Sequence, residues 1–134
     1  MSKETIIDND FVTLWFHPET KIVHHQFKKF VPTDQLKEIL NKGTDLLESR
    51  KAKKWLSDDR KNGAVPKDFE EWSATNWRPR TVKAGWKFWA ILIPEAVIGQ
   101  LNMKRKVKEF DQAGIIAQFF TDTTEAMKWL EKQQ

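Results

Sequence analysis

One segment of this chain restricts its fold more than any other. Residues 86–93, WKFWAILI, carry a single charged side chain and show no alternation of apolar and polar positions before Pro94 ends the run. A strand with one face in water alternates, whereas a strand covered on both faces is apolar almost throughout. The segment therefore predicts a strand in the middle of a sheet, with helices packed on both faces.

Two segments near the N-terminus predict a β-hairpin. Residues 11–16 (FVTLWF) and 22–30 (IVHHQFKKF) are rich in the β-branched and aromatic side chains that strands favour. A Pro-led polar segment, HPETK, lies between them and is typical of a turn. We expect residues 1–8, which precede the hairpin, to be loose.

Helical periodicity dominates the rest of the chain. Apolar residues recur at helical spacing in four segments: 31–50, 67–84, 95–113 and 123–132. We expect the second of these helices to break at Pro79. On the third helix we assign these residues to the buried side: Val97, Ile98, Leu101, Val107 and Phe110.

The order of these elements predicts the fold class. Short strands are expected at 53–57 and 115–120, so strands and helices alternate after the hairpin. Such alternation implies right-handed crossovers and parallel pairing. We predict an α/β fold with a mixed sheet of about five strands, in which the antiparallel hairpin comes first and parallel strands follow, and four or so helices.

Length and cysteine content restrict the class of protein. With 134 residues the chain is expected to form one domain, residues 1–134, whose core is large enough to fold alone. It has no cysteine, which excludes disulfides and zinc sites with Cys ligands. No segment approaches the roughly 20 apolar residues that cross a bilayer, and no signal peptide is recognisable. We expect a cytoplasmic protein.

The charge pattern bears on the partners. The formal net charge is +4, and acidic residues are interspersed with basic ones along almost the whole chain. Nucleic-acid-binding domains usually concentrate their basic residues in one stripe. We therefore predict no nucleic-acid partner, and nothing in the sequence predicts a cofactor.

The first candidate site is the group Ser57, Asp58, Asp59 and Arg60, at the end of the 53–57 strand. Parallel sheets bind ligands at the carboxyl ends of their strands. The carboxylates of two Asp side chains suit Mg²⁺, but such a site needs a third acid, and only Asp122 follows the end of another strand. In addition, the alternation of side chains along a strand sends Ser57 and Asp58 to opposite faces of the sheet. We favour a hydrogen-bonded turn in which Arg60 pairs with an acid.

The second candidate site is the NWRPR segment, with Trp77, Arg78 and Arg80 as its binding residues. Arginine stacks on indole rings and binds carboxylate or phosphate through two N–H groups. Further tryptophans at 72, 86 and 89 are candidates for the wall of a pocket that takes an amphiphile. The alternative is that both arginines pair within the fold, for instance with Glu70 or Glu71.

Motifs for metal binding and catalysis are lacking. His24 and His25 are adjacent on a predicted strand and so face opposite sides, which excludes them as a pair of ligands to one metal. The chain shows neither a Ser-His-Asp order with an elbow glycine nor a glycine-rich phosphate loop. We predict no metal site and no enzymatic activity.

Three segments carry a resemblance to a known family: KKWLSDDRKNGAV, NWRPRTVKAGWKFWAILIPE and FFTDTTEAMKWLEK. Together with the order of elements they resemble the STAS-like fold of the anti-sigma-factor-antagonist (SpoIIAA-like) class, and most closely its uncharacterised bacterial branch. That fold is related to the CRAL-TRIO lipid-transfer domains. The resemblance extends from about residue 51 to the end of the chain.

The resemblance implies a function and a modification site. Regulatory members of the class bind a protein partner until a Ser or Thr in a DSSGL-type loop is phosphorylated; the corresponding residue here is Ser57. In this chain acids follow Ser57 in place of Gly-Leu, and a phosphate beside them meets repulsion unless Arg60 compensates for its charge.

The resemblance implies a non-enzymatic regulatory or protein-interaction module. The alternatives are a binder of a lipid or small hydrophobic ligand and, third, a metal-assisted phosphate-processing enzyme that uses Asp58, Asp59 and Arg60. The sequence leaves a homodimer open.

Overall fold

The computed structural model describes residues 3–61 and 65–134. Its six strands form one sheet in chain order: β1 (Glu4–Asp8), β2 (Val12–His17), β3 (Ile22–Phe27), β4 (Lys54–Asp58), β5 (Phe88–Leu92) and β6 (Ile116–Phe120). Strands β1 to β3 pair antiparallel, and β3 to β6 pair parallel. The predicted α/β class and mixed sheet are confirmed.

The sheet has six strands rather than five because its first strand lies in the segment that we expected to be loose. Residues 1–8 were predicted to lack structure, which is wrong for Glu4–Asp8. This segment pairs with β2, and Glu4 forms a two-bond ion pair with Arg50 at the end of the first helix. A charged edge strand carries a weak sequence signal because only one of its sides pairs with another strand.

Helices connect the parallel strands, and one further helix follows the last strand. They are α1 (Thr33–Arg50), α2 (Lys67–Trp72), α3 (Arg78–Lys83), α4 (Val97–Gln112) and α5 (Thr123–Lys132). Asp122 accepts a hydrogen bond from the Glu125 backbone N–H and caps α5. No helix in the described ranges is long and apolar enough to span a bilayer.

Helices α2 and α3 run on through a π-helical turn, Ser73–Trp77, which we call the π segment. The predicted break at Pro79 is therefore absent. Proline has no N–H, and its ring collides with the carbonyl four residues earlier in a regular α-helix. The wider π turn, in which the Arg78 N–H bonds to the Ser73 carbonyl, comes immediately before Pro79 and keeps the helix continuous.

Strand β5 lies in the middle of the parallel part of the sheet, as its apolar sequence predicts. All five of its residues are buried, and it pairs with β4 on one side and β6 on the other. Trp89 and Ile91 face the core under α1 to α4, whereas Phe88, Ala90 and Leu92 face the smaller core under α5. The sheet therefore has two different apolar faces.

The buried side of α4 differs from the prediction. Val97, Ile98 and Leu101 are 70, 60 and 58% exposed, so their assignment to the core is wrong. Phe110 is buried and Val107 packs against the core, as expected. The aromatic cluster over β4 and β5 receives Phe110, and this contact orients the helix with its first apolar residues towards water.

Candidate functional site

An apolar cavity of about 80 Å³ lies between the sheet and helices α1, α2 and α4. Its wall is mainly aromatic: Trp55, Trp77, Trp86, Trp89, Phe69 and Phe110. The four tryptophans and Phe110 pack on one another at interplanar angles between 47° and 83°, with ring centroids 4.9 to 6.4 Å apart. Tilted aromatic packing of this kind makes a rigid wall.

The indole N–H groups of this wall are used inside the protein. Trp55 donates to His25 Nδ1 at 2.9 Å, and Trp77 donates to Thr44 Oγ1 at 2.9 Å. Trp86 donates to a backbone carbonyl at 3.1 Å. Because these donors have partners, the three rings offer apolar surface to the cavity.

One end of the cavity is polar because three side chains meet there. His25 on β3 and Ser57 on β4 are register partners and point to the same face of the sheet. Asp59, which follows β4, turns back towards them: its Oδ1 lies 3.0 Å from His25 Nε2, and its Oδ2 accepts the Ser57 hydroxyl at 2.6 Å. Ser57 Oγ is also 3.1 Å from His25 Nε2. All three residues are buried.

The hydrogen bonds define the proton positions in this group. An indole nitrogen can only donate, so His25 Nδ1 accepts from Trp55 and carries no proton. The ring is therefore neutral with its proton on Nε2, which is directed at Asp59 and Ser57. Asp59 thus accepts two hydrogen bonds, and its carboxylate is fixed in place without an Arg or Lys within 4 Å among the described residues.

This arrangement differs from a catalytic triad. In a triad the histidine binds the serine through one ring nitrogen and the acid through the other, so that it can relay a proton. Here Ser57 and Asp59 share one nitrogen of His25, and Trp55 occupies the other. The histidine positions the acid and does not stand between the acid and the serine.

Lys106 on α4 is the remaining charged group of the cavity. Burial lowers the pKa of its ammonium, and the carboxylates of Glu70, Asp59 and Glu109 oppose that shift. Its Nζ lies 5.6 Å from the centre of the Phe69 ring, and no carboxylate oxygen among the described residues is within 4 Å of it. The residue as a whole is partly exposed, so it lies at the boundary between the cavity and the surface.

A polar surface groove of about 260 Å³ adjoins the cavity. Ser73, Lys106 and Phe110 line both spaces. The two spaces therefore meet at these three residues.

The first predicted site is divided between the two faces of the sheet. Ser57 and Asp59 line the cavity, whereas Asp58 lies on the α5 side, as the alternation predicts. Arg60 binds Asp58 through two side-chain bonds of 2.9 and 2.8 Å, which is the predicted pairing with an acid. Asp58 and Arg60 are thus paired with each other, and neither lines the cavity.

The buried position of Ser57 bears on the predicted phosphorylation. Ser57 is 3% exposed, and its hydroxyl proton is bound to Asp59. A kinase needs an accessible hydroxyl, and a phosphate at this place meets the Asp59 carboxylate. Phosphorylation of Ser57 stays a prediction that this geometry disfavours.

The second predicted site is also divided. Trp77 forms part of the cavity wall, but both arginines are paired elsewhere. Arg78 binds Glu109 at 3.2 Å in the surface groove. Arg80 binds Asp45 at 2.7 Å and Glu48 at 2.8 Å on the surface of α1, away from the cavity. The suggested partners Glu70 and Glu71 are wrong, because the helix directs these arginines towards α4 and α1.

Sequence reasoning missed His25, Trp55 and Lys106 as site residues. The register that places His25 beside Ser57 depends on long-range pairing of β3 with β4, which no local pattern specifies. Lys106 carries a usable signal: it lies three residues after Met103 and four before Phe110, and therefore on the buried side of its helix. A lysine at such a position marks an unusual environment.

His24, on the opposite face from His25, forms a separate polar contact. Its Nδ1 is 3.1 Å from His17 Nε2, and the two rings stack. Burial lowers the pKa of His24 to about 2, with the neighbouring His17, His25 and Lys3 acting in the same direction. This pair is held neutral and faces the α5 side.

Metal sites and known relatives complete the description. Within residues 3–61 and 65–134 no three His, Asp or Glu side chains converge as metal ligands. Comparison with known proteins found no match to a protein family, to a curated sequence or to a solved structure. The resemblance to the STAS-like class therefore stays a prediction.

Proposed function

We propose that this protein is a non-enzymatic module that binds a small molecule in the aromatic cavity. The observation that carries the proposal is the convergence of His25, Ser57, Asp59 and Lys106 on a space walled by tryptophan and phenylalanine. Binding sites for small molecules are typically apolar pockets with a few fixed polar groups that orient the ligand. The bound molecule has an apolar body and one hydrogen-bonding end.

The volume of the cavity limits the size of that molecule. Pockets for drug-sized ligands measure roughly 300–1,000 Å³, and a dry cavity of about 150 Å³ takes benzene. The cavity here is about 80 Å³. The proposed ligand therefore has only a few non-hydrogen atoms inside the wall, and a longer amphiphile must extend into the polar groove.

A titration followed by nuclear magnetic resonance tests the proposal. Each of the seven tryptophans contributes one indole N–H signal that reports on its surroundings. Short alcohols are the small molecules added in the titration. We expect the signals of Trp55, Trp77, Trp86 and Trp89 to shift and those of Trp15 and Trp129, which lie outside the cavity, to stay in place. Native mass spectrometry of freshly purified protein shows in addition whether a ligand is carried along.

A matched pair of variants makes this test specific. Ser73, in the π segment, lines the cavity. Ser73→Leu fills the space and is expected to abolish the shifts, whereas Ser73→Ala removes the same hydroxyl and leaves the space open. If both variants respond like the unchanged protein, or if the signals outside the cavity shift equally, the proposal is wrong.

A second candidate function, a protein-interaction module, is favoured by a different observation. Val97, Ile98 and Leu101 expose an apolar surface on the first turns of α4. Exposed apolar clusters of this kind often mark protein contacts. A pull-down with the unchanged protein and with Ile98→Ser/Leu101→Ser separates the two functions: this variant is expected to lose its partner and to keep the indole shifts.

A further inference from the structure

Lys106 has the surroundings of a reactive amine. A lysine attacks a carbonyl only when it is unprotonated, and an apolar site favours that form. The Lys106 Nζ borders an apolar cavity, 5.6 Å from the centre of the Phe69 ring, and no carboxylate oxygen among the described residues lies within 4 Å of it. Burial lowers its pKa in agreement with this geometry.

The charges around Lys106 favour a neutral ligand. Four charged groups act on it: Glu70, Asp59, Glu109 and Arg105. Glu70 lies 3.7 Å from Arg105, and Glu109 binds Arg78 at 3.2 Å, so these acids are already balanced. Asp59 and Lys106 remain as the charges that face the cavity. Their opposite charges offset each other, so the apolar cavity has no excess charge to attract an ion, and a neutral molecule fits it best.

We propose that Lys106 captures a short neutral aldehyde or ketone in the cavity as an imine. This inference rests on the proposed ligand-binding function and names the class of ligand. The aromatic wall takes the apolar chain, and the surface groove that Lys106 also lines provides access.

The reaction needs no oxidant, reductant or cofactor. The unprotonated amine forms a C–N bond with the carbonyl carbon, and the π electrons of the C=O bond move to its oxygen. A proton passes from nitrogen to that oxygen and gives a carbinolamine; its hydroxyl then leaves as water, and the C=N bond forms. Asp59, the carboxylate that lines the same cavity, lies more than 4 Å from the amine, so these protons move between the two groups through a water molecule.

Reductive trapping with butanal tests the inference. The protein is incubated with limiting butanal and sodium cyanoborohydride, and the modified lysines are mapped by mass spectrometry. We expect most of the adduct on Lys106 and little on the exposed residues Lys104 and Lys108 of the same helix. Lys106→Arg and Lys106→Met are expected to lose this adduct, and Lys104→Arg is expected to keep it. An adduct spread evenly over the exposed lysines overturns the inference.

A second measurement separates this inference from the proposed function. The probe 1-butanol has the chain of butanal but no carbonyl. If 1-butanol shifts the indole signals of the cavity and butanal leaves Lys106 unmodified, the cavity binds ligands and the imine is wrong. If neither probe enters the cavity, the proposed function itself fails.

Discussion

The two faces of the sheet place histidine and aspartate side chains in different surroundings. On the face under α1 to α4, His25 and Asp59 lie at the end of an aromatic cavity and bind each other. On the face under α5, Asp58 is bound by Arg60 and His24 is stacked on His17. Neighbours in sequence thus have separate roles. The comparison teaches that a polar residue becomes available to a ligand only where its surroundings leave space beside it.

Truncation of Trp55 is expected to cause the largest loss of stability among the variants that compare the two faces. Trp55 is 1% exposed, packs on Trp77 and Trp86, and holds His25. Trp55→Ala should lower the free energy of unfolding by about 3–5 kcal/mol. Trp129→Ala, on the α5 face, should cost only about 1–2 kcal/mol because that side chain is partly exposed. Urea denaturation measures both.

A conservative variant sharpens the same prediction. Trp55→Phe keeps most of the packing but leaves His25 Nδ1 without its donor, which costs about 1–3 kcal/mol. We expect the ¹⁵N signals of His25 to report a redistribution of its proton between the two ring nitrogens. Unchanged His25 signals contradict the proton positions derived from the hydrogen bonds.

We expect the free energy of unfolding to depend on pH mainly through His24, on the α5 face of the sheet. Unfolded His24 takes up a proton near its usual pKa of 6.5, whereas folded His24 does so only near 2. The unfolded state therefore binds more protons between these values, and the free energy of unfolding falls as the pH drops below 6.5. The slope for this group is at most about 1.4 kcal/mol per pH unit. His17, whose pKa burial also lowers, adds in the same direction.

His24→Gln tests this prediction through the slope rather than through the stability itself. Denaturation between pH 6.5 and 5, above the usual pKa of 4.5 for Glu, should show a flatter dependence than in the unchanged protein. His17→Gln should flatten the dependence less than His24→Gln does, since it leaves the buried His24 in place. Equal slopes in all three proteins refute the assignment.

The smallest effect is expected for Arg80. Its ion pairs with Asp45 and Glu48 are on the surface, where such pairs contribute about 0–1 kcal/mol. Arg80→Gln should therefore change the stability little and leave the indole shifts of the cavity unchanged. If this variant no longer binds the alcohol probes, Arg80 is a residue of the binding site, as the sequence predicted.

Local patterns were sufficient for most of the fold. The apolar run around β5 predicted a central strand, and the hairpin, α1, β4, β6 and the Asp122 cap follow from residue types and spacing. The predictions that were wrong concern features that residue types and spacing do not determine. Strand β1 forms because β2 pairs with it, Pro79 is accommodated by a π turn, and Phe110 sets the orientation of α4.

The candidate site was predictable only in part. Ser57 and Asp59 were expected at the end of a strand, and Trp77 was expected in a pocket wall. The roles of Asp58, Arg78 and Arg80 were open in the sequence because several acids lay within reach of each arginine. Their partners depend on which helices pack together, and therefore on the tertiary structure.

By itself the sequence determined the α/β class, the central strand and the opposite directions of His24 and His25, because backbone geometry translates residue spacing directly into faces. Only the tertiary structure decided that His25, Ser57, Asp59 and Lys106 surround one cavity, since these residues come from two strands, a loop and a distant helix. The physical reason is that packing of the aromatic cluster, and no local preference, sets the distances between those elements.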